Sequence, residues 1–138
     1  MSTNVILVED HASFRTAMAL LLEREEGIKV VGQAGTLAEA YRLLSEDAEV
    51  AVVDLGLPDG NGIEFIKELR EFNPKGVVLV LSASIDPKAE ASALEAGAAG
   101  VLHKADGITE IAEAVKVARQ TEPLRLVTNT TICLRRMF

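Results

Sequence analysis

The run Val50-Ala51-Val52-Val53-Asp54 constrains this chain more than any other stretch of it. Its four apolar residues, three of them β-branched, suit a strand covered on both faces, since a half-exposed strand would alternate with polar residues. An aspartate ends the run, and Leu55-Gly56-Leu57-Pro58-Asp59-Gly60-Asn61-Gly62 follows as a turn rich in Gly, Pro and Asn. Open α/β sheets place their ligand crevice at the carboxyl ends of such strands. The ordinary task for an aspartate there is to cap the next helix. That helix, however, starts near Gly62, beyond the reach of a side chain at 54. Asp54 is therefore the candidate reactive group.

Four more apolar runs share the pattern. Asn4 to Val8 closes on Glu9 and Asp10. Val30 and Val31 open a strand ending near Ala34 and Gly35. Val77 to Leu81 closes on Ser82, and Val101 to His103 runs straight into Lys104. Helical spacing fills the intervals. From His11 to Glu26, Phe14, Ala17, Met18, Leu21 and Leu22 recur every three or four residues, and Gly27 stands at the usual stop. Thr36 and Glu39 form a capping box for a helix through Ala40, Leu43 and Leu44 to about Glu46. Ile63, Phe65, Ile66 and Leu69 mark the next helix, stopped at Asn73-Pro74. Asp86-Pro87 reads as a cap followed by proline at the first helical position, with Ala89, Ala93 and Leu94 leading to Gly97. Thr109 is expected to cap the last helix, which carries Ile111, Ala114, Val115 and Ala118 and ends near Gln120.

Strand–helix alternation with short connections predicts the α/β class. The expected fold is a doubly wound five-stranded parallel sheet, flavodoxin-like, with strand order 2-1-3-4-5 and helices on both faces. Residues 1–120 hold this pattern. Residues 121–138 do not continue it: Pro123 breaks the helix and Thr128-Asn129-Thr130-Thr131 disfavours another, so a linker or C-terminal extension without an output domain is expected there.

Charge narrows the function classes. Fourteen Lys and Arg against 21 Asp and Glu give a net charge of −7, which argues against a nucleic-acid surface on this segment. A single cysteine, Cys133, excludes an internal disulfide and fits a reducing compartment. No signal-peptide pattern is seen, and no apolar stretch approaches the roughly 20 residues that span a bilayer, so a soluble cytoplasmic domain is expected.

In a parallel sheet all the strands end on one edge, which here collects Glu9, Asp10, Asp54, Ser82 and Lys104. At about 4 Å and an effective dielectric near 20, each pair of like charges costs on the order of 4 kcal/mol. One ammonium offsets only part of that. A hard divalent cation with oxygen ligands is the natural complement, and a few protein ligands with water completing an octahedron suggest Mg2+. Such a pocket suits a phosphoryl group carried on Asp54.

These residues resemble the receiver domain of two-component response regulators, over roughly Asn4 to Gln120. The resemblance implies that Asp54 accepts a phosphoryl group from a sensor histidine kinase. It also implies that Asp10 and Asp54 ligate Mg2+ directly, Glu9 through water, and Gly56 through its carbonyl. Ser82 matches the family's switch hydroxyl and Lys104 its lysine. The Leu-Pro-Asp-Gly stretch, with Gly62 eight residues after Asp54, matches its loop. Val8-Glu9-Asp10-His11 and the non-proline after Lys104 look most like the NarL/FixJ branch, whose members usually carry a helix-turn-helix output domain. A phosphorylation-dependent homodimer follows from the same resemblance.

Three features depart from the family pattern. Val101 stands where Tyr or Phe is usual, Ala105 stands where proline commonly follows the lysine, and the last 18 residues are too few for a helix-turn-helix. Two other functions fit less well. A haloacid-dehalogenase-like phosphatase would want an acid where Gly56 stands, and a flavin binder would want a phosphate cradle where Glu9 and Asp10 stand. His11 is expected to be a solvated residue at the helix start. His103 is expected to be a strand residue facing a helix or solvent, and Arg135-Arg136 a solubilising pair. Ser82-Ala83-Ser84 lacks the G-x-S-x-G elbow of a hydrolase nucleophile.

Overall fold

The computed structural model describes residues 2–45, 47–83 and 86–120. The apolar runs form β1 (Thr3–Val8), β2 (Ile28–Ala34), β3 (Val50–Asp54), β4 (Val77–Ser82) and β5 (Gly100–His103). All their pairings are parallel, in the order β2-β1-β3-β4-β5, as the alternation predicts. Every residue of β3 and β4 is buried, which is why these strands read as continuous apolar runs. β2 lies at the edge and alternates buried with accessible positions.

The helices are α1 (Ala12–Glu23), α2 (Leu37–Tyr41), α3 (Ile63–Phe72), α4 (Pro87–Ala96) and α5 (Ile108–Gln120). Alternate strand residues feed two cores. Val5, Leu7, Val52, Leu79 and Leu81 meet Met18 and Leu22 of α1 and Ile111 and Val115 of α5. Ile6, Val8, Val53, Val80 and Val101 meet Ala40, Phe65, Ile66, Leu69 and Ala93 on the other face. The side-chain period of two along each strand is what divides one apolar run between two cores.

Several element ends differ from the sequence expectation. α1 stops at Glu23 because the Glu25 N–H turns back to the Leu22 carbonyl at 3.0 Å, and Gly27, at φ 85°, bends the chain into β2. The Thr36 hydroxyl accepts the Glu39 N–H at 3.1 Å, while the Glu39 carboxylate takes the Gly35 N–H at 2.7 Å, a capping box displaced by one residue. α2 spans only five residues. The stretch after it tightens, with the Leu43 N–H reaching the Ala40 carbonyl at 2.9 Å. α5 opens at Ile108, so Thr109 sits in its first turn and the bend before it belongs to Gly107, at φ 93°.

At α4 the expected ends are found. Asp86 accepts the N–H groups of Lys88 and Ala89 at 3.1 and 3.3 Å, and Gly97 closes the helix at φ 116°. The expectations made for Glu46, Ser84, Cys133, Arg135-Arg136 and the 121–138 extension lie outside the described residues. Among the described residues no helix is long and apolar enough to cross a membrane.

Candidate functional site

The carboxyl edge of the sheet gathers the candidate residues. Glu9 and Asp10 follow β1, Asp54 ends β3, Ser82 ends β4, and Lys104 opens a short 3-10 turn directly after β5. The register of β3, β4 and β5, with Asp54 beside Leu81 and Ser82 beside His103, levels their ends. Gly62 lets α3 start close against β3, since a Cβ there would lie 3.2 Å from both the Asp54 carbonyl oxygen and Val53 Cγ1. A cavity of about 270 Å3 opens at this edge, lined among others by His11, Asp54, Gly56, Ser82, Ala89 and Lys104.

Asp54 and Glu9 are 3% and 2% exposed, so both carboxylates depend on protein partners. Lys104 Nζ lies 2.9 Å from Asp54 Oδ2 and 2.7 Å from Glu9 Oε1. The Gly56 N–H donates to Asp54 Oδ1 at 2.9 Å. Burial pushes the Asp54 carboxyl up from its ordinary pKa, and the charge of Glu9 adds to that. The bonds from Lys104 and the Gly56 N–H recover only part of the shift. Burial alone would lower the Lys104 ammonium, but its bonds to Glu9 and Asp54 outweigh it and the net direction is upward.

Glu9, Asp10, His11 and Asp54 each bring a potential ligand atom within 4.8 Å of the others. Asp10 Oδ1 is shielded from water and makes no hydrogen bond, with His11 Nδ1 3.4 Å away. Three carboxylates facing one ammonium, one of them with an orphaned oxygen, make an oxygen-rich donor set short of positive charge. That is the chemistry a hard divalent cation satisfies, so these residues fit Mg2+.

Two histidines make contacts at this edge beyond the placements expected of them. His11 is well exposed, yet its Nδ1 lies 3.1 Å from Glu9 Oε2 and 3.3 Å from Lys104 Nζ, so it belongs to the pocket rather than to solvent alone. Its place directly after the acid pair was the available signal. His103 faces α4, one of the two placements expected, and there its Nε2 meets Glu90 Oε2 at 2.9 Å inside the protein.

Other supports went unseen in the sequence. Arg15 Nη1 donates to the Glu9 carbonyl at 2.6 Å, and the Phe14 ring lies 5.4 Å below Lys104 Nζ. Asp59, in the loop after Asp54, accepts the N–H groups of Leu37 and Ala38 at 2.7 and 3.1 Å, so that loop is tied to the start of α2. Val101 is fully buried, and every peptide bond among the described residues is trans, the one after Lys104 included.

Residues 5–116 match the family described as the response regulator receiver domain. The DNA-binding transcriptional activator DevR/DosR of Mycobacterium tuberculosis is 40% identical over 113 residues, which are 81% of this chain and 52% of that protein. This chain spans about half the length of the curated relatives it matches first. A two-component response regulator of the LuxR family from Aurantimonas superposes with a TM-score of 0.76 at 31% identity, covering 85% of this chain and 84% of that one. A response regulator from Burkholderia pseudomallei, solved with a phosphorylated aspartic acid, a calcium ion and citrate, gives a TM-score of 0.74 at 27% identity, over 88% of this chain and 69% of that one.

Proposed function

The chain belongs to the response regulator receiver family, and from that premise we propose that Asp54 accepts a phosphoryl group from a sensor histidine kinase as the input of a signalling switch. One observation carries the assignment. Asp54 is a buried carboxylate at the floor of an open cavity, held between the Lys104 ammonium and the Gly56 N–H at 2.9 Å each.

In the proposed transfer, an Asp54 oxygen bonds to phosphorus as the phosphorus–nitrogen bond of a donor phosphohistidine breaks. The imidazole departs with the bonding pair as a neutral ring, its other nitrogen keeping the proton. Glu9, Asp10 and Asp54, with the Gly56 carbonyl, would hold Mg2+, which when bound supplies positive charge for the phosphoryl oxygens. Lys104 then turns from Glu9 and Asp54 toward one oxygen of the transferred group, and the Ser82 hydroxyl donates to another. The Burkholderia relative, solved with a phosphorylated aspartic acid and a calcium ion, supports this reading.

The role is a switch rather than a turnover enzyme, apart from assisting its own phosphorylation and dephosphorylation. Residues 1–120 serve as the receiver and 121–138 as a linker or extension. The output is transcriptional control by a domain or partner outside these residues, as the relative's description as a transcriptional activator suggests, with phosphorylation promoting a homodimer. The acidic receiver itself does not contact nucleic acid, and the cytoplasm is its compartment.

The test is intact-mass spectrometry after incubation with acetyl phosphate and Mg2+. A gain of one phosphoryl group is expected in the parent chain, and none in Asp54→Asn or without divalent cation. An equal gain in Asp54→Asn would remove the assignment.

A further inference from the structure

We propose that the buried Glu90–His103 pair is the joint through which a change at the Asp54 pocket moves α4. The inference rests on the reading of Asp54 as phosphoacceptor. It makes Glu90 and His103 positioning residues, since neither carboxylate nor ring enters the transfer itself.

The composition of α4 is the first observation. The side chains it buries are those of Glu90, Ala93 and Ala96. Ala89 and Leu94 pack only partly against the core. Glu90 is thus the one large side chain this helix buries. Its Oε2 lies 2.9 Å from His103 Nε2, with the two side chains 2% and 8% exposed.

The position of His103 is the second. It precedes Lys104, whose ammonium holds both Asp54 and Glu9, and it is the register partner of Ser82 on β4. Two residues of the first turn region of α4, Asp86 and Ala89, line the pocket as well. The helix therefore meets the site twice, at its capped start and through Glu90 to the end of β5.

Stability alone does not account for a buried polar pair, because apolar residues of similar volume often serve as well or better. What the pair adds is direction. A hydrogen bond holds within a few tenths of an ångström and weakens steeply beyond, whereas alanine contacts slide. When Lys104 leaves Asp54 and Glu9 for a phosphoryl oxygen, the end of β5 shifts and the ring of His103 carries Glu90 with it. Val101 lies on the same face of β5 but is fully buried and β-branched, with no swing to offer.

The experiment follows backbone amide resonances of the full chain with and without beryllofluoride and Mg2+, in four proteins. These are the parent, Glu90→Gln, Glu90→Leu and the double variant Glu90→Leu/His103→Leu. Glu90→Gln keeps an acceptor for the ring, and the double variant removes both polar groups together so that neither is stranded. The expected result is a shift at Ser82 in all four, with the response of residues 88–96 kept in the parent and Glu90→Gln and lost in both leucine variants. A parent-sized response of α4 in the folded double variant overturns the joint and leaves the phosphoacceptor reading standing. Absence of any beryllofluoride response at Ser82 in the parent overturns both.

Discussion

The two helices that flank the Asp54 pocket are attached to the sheet on opposite terms. α3 buries Phe65, Ile66 and Leu69, and Phe65 meets Tyr41 edge to face at 5.3 Å between ring centroids. α4 buries two alanines and Glu90. Each large apolar side chain of α3 contributes about 1.5–3 kcal/mol on burial, against about 0.8 kcal/mol for a methyl group. Yet α4 is the better-terminated helix, with the Asp86 cap, Pro87 and Gly97. Integrity of a helix and firmness of its attachment are separate quantities. α3 is anchored where it packs, while α4 is a well-formed rod held by a directional bond beside the pocket.

The largest effect that would break this comparison lies in α3. Phe65→Ala should cost about 3–5 kcal/mol by denaturant titration, as expected for an emptied aromatic site. Glu90→Leu/His103→Leu should stay within roughly 1 kcal/mol of the parent in the same assay. Equal losses would mean that α4 is anchored as firmly as α3.

Next in size is the response to metal. At a hundredfold excess over its dissociation constant, Mg2+ should stabilise the fold by about 2.7 kcal/mol. In hydrogen exchange, amides that exchange by local opening should gain protection in the first turn of α4 and the Gly56 loop rather than in α3. Burial holds the Asp54 carboxyl above its ordinary pKa, so its ionisation destabilises the metal-free fold above that raised value. The metal-free midpoint should therefore climb as pH falls through it. Protection spread evenly over both helices would erase the contrast.

Single replacements come third. Glu90→Ala or His103→Ala strands a buried polar partner and should cost about 1–3 kcal/mol, more than the double leucine variant. Additive losses in the two singles and their combination would show that the groups are not coupled.

Asp59 gives the smallest effect and tests the α3 side of the pocket. Its bonds from the Leu37 and Ala38 N–H groups, the Leu37 bond first, hold its carboxyl below the usual range. A depressed carboxyl stabilises the fold above its unfolded pKa of about 3.9, and that contribution is lost as pH falls through the folded value. The gap in melting temperature between parent and Asp59→Ala should thus be level near neutrality and close in acid. A gap that widens on acidification would contradict the bond.

What the sequence made legible was local. Four of the five strands are apolar runs closed by a chemically distinctive residue, so reading those runs also read Glu9, Asp10, Asp54, Ser82 and Lys104 onto one edge of a parallel sheet. The ends of α1 and α2 were not legible, because tight turns after Glu23 and Tyr41 continue the helical spacing while the bonding changes. Pairings across the fold were hidden for a different reason. Glu90 looks like any exposed helix glutamate until α4 is laid on β5, and Asp59 caps a helix that starts 22 residues earlier. Three-to-four spacing recovers which residues a helix turns inward, but it misreads a buried glutamate, since only its partner makes that burial tolerable.

The claim on which all of this depends is that Asp54 carries the phosphoryl group. Borohydride reduction of the phosphorylated chain, followed by peptide mapping, addresses it most directly because it marks the acyl phosphate chemically at its own residue. The predicted result is a reduced side chain at position 54, with Glu9, Asp10 and the other acids intact. Reduction at Glu9 or Asp10 in the parent, or a phosphoryl group retained on His11 or Ser82 when Asp54 is replaced by Asn, would contradict it.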